Sequence, residues 1–110
     1  MTIHLNLSGG DPLALMQTLQ SALVRAKDEL RIELLGPGML IPDTALILFE
    51  ILRHRPARLR IHVHTWSCLS EGAVLVWLAG DTRSMRSDTW IEIPSEPEAF
   101  KERPGFCRAI

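Results

Sequence analysis

The chain has 110 residues, of which 46% are hydrophobic, 23% charged and 5% aromatic, a composition that excludes a disordered chain and suits one compact domain with its own core. Twelve Lys and Arg stand against thirteen Asp and Glu for a formal net charge of -1, so the basic excess of a phosphate-backbone binder is missing and no nucleic-acid partner is expected. Cys68 and Cys107 lie far apart without CxxC spacing or a disulfide framework, which predicts a reducing, cytoplasmic setting.

Thr2 to Leu7 alternates, with Ile3, Leu5 and Leu7 on one face and His4 and Asn6 on the other, the period of a strand, and no secretion signal is expected there. Asp11 before Pro12 starts a helix, because the carboxylate accepts orphan N–H groups and proline needs no donor in the first turn. Leu15, Leu19, Ala22, Leu23, Ala26 and Leu30 follow at helical spacing. Leu30 to Leu35 has strand character and stops at Gly36-Pro37-Gly38, which interrupts ladder and helix alike.

From Pro42-Asp43 a second helix runs toward Pro56, apolar on most of its circumference and so packed on more than one side. Leu59, Ile61 and Val63 alternate with Arg60, His62 and His64 as a third strand. Ser70 to Ala79 reads as a short, buried helix stopped by Gly80, and its apolar run from Ala73 is too short to span a bilayer, so no membrane is expected. Thr89 to Ile93 reads as the last strand. The order predicts an α/β fold, a layered, mostly parallel sheet with right-handed crossover helices, as a single domain over 1–93. Residues 94–110, with Pro94, Pro97 and Pro104, read as a tail with little core of its own.

Three stretches in this order, Gly36-Pro37-Gly38-Met39, Ser70-Glu71-Gly72-Ala73 and Ala79-Gly80-Asp81-Thr82-Arg83, resemble the Clp-protease and crotonase (ClpP/crotonase-like) superfamily. The likeness covers Ile3 to Ile93 in element order and implies the family's ββα-superhelix fold. In Clp-type serine proteases the loop after the second strand reads Ser-Pro-Gly-Gly and lends backbone N–H groups to an oxyanion hole. Pro37 and Gly38 match it, while Met39 stands at the second glycine. The family nucleophile is a serine in a Ser-x-Gly-Ala context, which Ser70 reproduces, although counting back from Ala79-Gly80 without a gap puts Glu71 there. The family's general-base histidine falls at Pro94, which cannot take a proton, and full-length members continue with a helical region carrying the triad acid. The resemblance therefore implies the scaffold of a bacterial pseudoenzyme more than its activity, and such members are typically oligomers.

The residues bear other readings. Ser70 is a candidate nucleophile, with His62 or His64 as a substitute base, and more simply a helix N-cap with Glu71 in the first turn. Cys68 reads as a buried small residue rather than a reactive thiol. His62 and His64 share a strand face that His4 can join, which suits zinc less well than a polar sheet face, because no carboxylate or cysteine has the needed spacing. The loop of Gly38 and Met39, with Glu71 and Gly72, is a candidate oxyanion or ligand loop, and more simply a tight turn. Lacking a phosphate-loop lysine or the three-glycine dinucleotide pattern, it implies no cofactor. Arg53, His54, Arg55, Arg58 and Arg60 form a basic stretch that suits a helix C-terminus or an anionic partner. Trp66, Trp77 and Trp90, with Leu46 to Phe49 and Val74 to Leu78, offer more apolar surface than one layer hides, which predicts an interface.

The expected function is that of a non-catalytic scaffold acting by self-association or partner binding. A serine hydrolase using Ser70 and a binder of acyl thioesters are the alternatives.

Overall fold

A computed structural model describes residues 1–7, 11–36 and 38–92. Pro94, Cys107 and the segment 94–110 lie outside them. The elements run β1 (Thr2–Asn6), α1 (Pro12–Arg25), β2 (Glu29–Leu35), β3 (Gly38–Leu40), α2 (Pro42–Arg53), β4 (Arg60–Thr65), β5 (Leu69–Glu71), α3 (Ala73–Leu78) and β6 (Thr82–Met85). Four strands form a parallel sheet in the order β1-β2-β4-β6, and β3 and β5 form a small parallel pair.

The topology decides where the core sits. Each crossover, through α1, α2 and α3 in turn, steps the same way across the sheet. A right-handed crossover that always steps the same way leaves its helix on the same face. Accordingly α1 packs on α2 and α2 on α3. Ile3 and Leu5, Leu30, Ile32 and Leu34, and Ile61 and Val63 point under these helices and are buried. They meet Leu15, Leu19, Ala22 and Leu23 of α1, Ala45, Leu48 and Leu52 of α2, and Ala73 to Val76 of α3. The other face has no helix among the described residues.

Local chemistry explains the boundaries. The Asp11 side chain accepts the Leu13 N–H at 3.1 Å, capping α1 as its spacing predicts. Gly36 takes a φ of 81°, which a side chain disfavours, and so ends β2. Asp81 ties the far end of the sheet together: its Oδ2 accepts the Ile61 N–H at 2.8 Å, and its other oxygen pairs with Arg55. Burial raises the Asp81 pKa, but the Ile61 N–H and the Arg55 guanidinium outweigh it and hold the carboxyl below its ordinary value. Between the folded and unfolded pKa values the unfolded chain binds more protons, so this stabilisation is present above the ordinary carboxylate pKa and is lost as pH falls through the lowered one. Asp81→Asn is expected to cost about 1–2 kcal/mol at pH 7. In thermal melts the gap between the two proteins should begin to narrow below about pH 4 and go on closing as pH falls further.

Three expectations are corrected. The third helix starts at Ala73 rather than Ser70, because Leu69–Glu71 is drawn out as β5 against β3. Ser70 is therefore no N-cap; Gly72 holds that position without a side-chain hydrogen bond. The fourth strand of the sheet is Thr82–Met85, not Thr89 to Ile93, of which Ile93 lies outside the described residues; among residues 89–92 only Ile91 makes a bridge, to Leu69. Gly36-Pro37-Gly38 is a shorter break than it reads, since β3 begins at Gly38.

Candidate functional site

The resemblance-derived residues gather around the small strand pair. β3 and β5 run in register with Gly38 opposite Leu69, Met39 opposite Ser70 and Leu40 opposite Glu71, so Gly38 and Met39, read as a loop but drawn into β3, are neighbours of the Ser70–Glu71 segment. Leu69 is fully buried and anchors the pair: its N–H donates to the Trp90 carbonyl at 3.1 Å, and its own carbonyl accepts the Glu92 N–H at 2.8 Å. Gly72 is a packing residue. A Cβ there would lie 2.5 Å from the Ala45 Cβ and 2.9 Å from the Leu40 carbonyl oxygen, so the glycine lets α3 approach α2. Ser70 is half-buried, and among the described residues no hydrogen bond joins it to His62 or His64.

The histidines are committed elsewhere, on the face of the sheet away from the helices. Cross-strand registers put Thr2, Arg31, His62 and Thr82 in one row and His4, Glu33, His64 and Ser84 in the next. The shared orientation read from His-x-His is thus observed, with His4 two strands away. His62 bonds through Nδ1 to Thr82 Oγ1 at 2.7 Å and through Nε2 to Ser84 Oγ at 2.7 Å. His64 Nδ1 is also 2.7 Å from Ser84 Oγ. One hydroxyl carries one proton, so Ser84 donates to at most one imidazole and accepts from at least one.

Glu33 completes the row without completing a catalytic relay. Its Oε1 accepts the Trp66 indole N–H at 2.8 Å and its Oε2 the Arg31 Nε–H at 3.0 Å. These two hydrogen bonds hold its pKa below the usual glutamate value. With both oxygens so engaged, His64 Nε2 is left buried with no partner among the described residues. Desolvation and the nearby Arg31 lower the His64 pKa, so its imidazole stays neutral at physiological pH. A triad base needs a carboxylate on the nitrogen remote from its serine; here the carboxylate serves an indole and a guanidinium. Among the described residues no group of three or more His, Cys, Asp or Glu is arranged to hold a metal ion.

Ser84 and Glu33 are the site residues that sequence reasoning missed, whereas Trp66 was read there as part of an interface. The signal for Ser84 was the alternation of Thr82 and Ser84, which matches that of His62 and His64 and sets hydroxyls opposite imidazoles. Trp66 packs edge-on against His64, with ring centroids 4.8 Å apart, and remains 44% exposed despite its hydrogen bond. Of the apolar surface expected in excess, Leu48 and Val74 to Val76 are core, while Ile47, Trp66 and Trp90 stay exposed. Cys68, expected to be buried, is instead a half-buried free thiol. No helix among the described residues is long and apolar enough to cross a membrane. Compared with known proteins, the chain matches no family model, no curated protein and no solved structure.

Proposed function

We propose that this chain is a cytoplasmic scaffold domain of the Clp-protease and crotonase type, lacking that superfamily's catalytic set, which acts by self-association through the bare face of its four-stranded sheet. The fold type is supported by a repeated unit of long strand, short strand and helix: β2-β3-α2, then β4-β5-α3. The same unit starts again with β6 and the bridge at Ile91.

The one-sided sheet is the observation that carries the function. All-parallel sheets occur almost only with both faces covered. Among the described residues helices cover one face, while the other holds two ordered rows of polar side chains with Trp66 at its border. The charges of that face balance, Glu29 and Glu33 against Arg31 and Arg60, which suits a second copy presenting the same set better than a strongly charged partner. An isologous pair about a two-fold axis sets each patch against itself and closes.

A hydrolase using Ser70 is supported by the closeness of Met39 and Ser70, and opposed by the commitment of both histidines to Ser84. A fluorophosphonate probe separates the two readings. Labelling at Ser70 is expected to be no faster than at the protein's other serines, because a hydroxyl without a base is a poor nucleophile. Fast labelling that disappears in Ser70→Ala but persists in Ser67→Ala would instead establish the hydrolase.

A further inference from the structure

At the end of the sheet where its strands begin, a cavity of about 560 Å3 opens between the end of α2 and the start of β4, lined by Arg53, Arg55, Pro56, Arg58, Arg60 and Asp81 among others. Cations near a helix C-terminus ordinarily complement its dipole, and two residues here do so. Arg55 Nη1 donates to the Leu52 carbonyl at 2.9 Å, while His54 Nδ1 lies 2.9 Å from the Glu50 carbonyl. Arg55 also pairs with Asp81, which uses up the cavity's carboxylate.

The remaining guanidinium groups exceed that need. Arg58 reaches only the Ala26 carbonyl, at 3.5 Å, and Arg60 belongs to a strand rather than to the helix. Among the described residues Arg53 and Arg58 form no ion pair, while Arg60 stands opposite Glu29 in the sheet and adds its charge to the field on Asp81. Two unpaired cations beside Arg60 around one concavity stand out in a chain whose net charge is -1.

We infer that this cavity binds a small soluble ligand carrying adjacent phosphate groups, a diphosphate or triphosphate. The planar guanidinium fork matches phosphate oxygens in pairs, and a single monoanion would leave the other cations unmatched. The concave shape and the net negative chain favour a small ligand over a long polyanion, which needs an extended basic track. Pro56 fixes the backbone angle at the turn between the helix end and the strand, so the groups are presented from a stiff base.

Titration calorimetry of the full chain with sodium tripolyphosphate tests the assignment. Saturable binding of one ligand per chain is expected, weakening as salt is added. Arg53→Gln and Arg58→Gln should each weaken it about tenfold. Arg86→Gln, which removes a cation paired with Asp88 outside the cavity, should leave it unchanged. Neither Arg53 nor Arg58 lies in the rows of the bare face, so self-association measured on the same variants should persist. Absence of heat at millimolar tripolyphosphate, equal binding by the cavity variants, or tighter binding of an oligonucleotide or of anionic vesicles would each overturn the inference.

Discussion

Gly72→Ala is expected to destabilise the fold by about 3 kcal/mol or more, a large share of the roughly 5–15 kcal/mol that a small domain has in total. The added methyl meets the Ala45 Cβ at 2.5 Å and the Leu40 carbonyl oxygen at 2.9 Å. Neither can rotate away, since one is fixed to the α2 backbone and the other is β3 backbone. Relief requires α3 to move off α2, and Ala73 to Val76, all buried, would move with it. The double variant Gly72→Ala with Ala45→Gly removes the shorter contact and leaves the carbonyl contact. It should therefore recover part of the loss, a coupling that a change confined to a surface loop would not show. Denaturant unfolding of the single and double variants measures it. Loss near zero for Gly72→Ala would mean that α3 does not sit against α2 at this point.

Trp66→Ala should weaken self-association about thirtyfold or more, with little effect on the stability of the monomer. Tryptophan is enriched among residues whose truncation costs an interface about 2 kcal/mol or more. Trp66 is held for such a role: the Glu33 carboxylate fixes its indole N–H, His64 supports its edge, and much of its surface is left uncovered. The monomer loses little because the residue lies beyond the end of β4 and outside the core. Sedimentation equilibrium gives the association constant, and thermal melts below that concentration give the monomer stability. Association unchanged in Trp66→Ala would move the contact away from this face.

The α/β arrangement was legible because periodicity and turn chemistry agreed. Asp11-Pro12 and the Leu15, Leu19, Ala22, Leu23 spacing carry α1, and the alternation at Ile61 and Val63 carries β4. β5 was hidden for a physical reason. Leu69–Glu71 runs straight into an apolar helix, and three residues cannot display a period of two against the helical pattern that follows. β6 was hidden because Thr-Arg-Ser-Met has no apolar alternation; it is held as an edge strand by pairing with β4 and by hydroxyl-to-imidazole bonds.

The candidate site was legible only in its parts. His-x-His disclosed a shared face, but nothing in the order of residues says that Ser84 comes between the rings, or that Glu33 turns to Trp66 instead of His64. Those facts depend on register across three strands, which local pattern does not encode. The bare face follows from handedness and strand order taken together, so it emerged only with the sheet topology.

Light scattering at several concentrations tests the central claim most directly. A mass above that of one chain, rising with concentration and returning to the single-chain value in Trp66→Ala, is the expected result. A single-chain mass for the unaltered protein across the whole range would contradict self-association through the bare face.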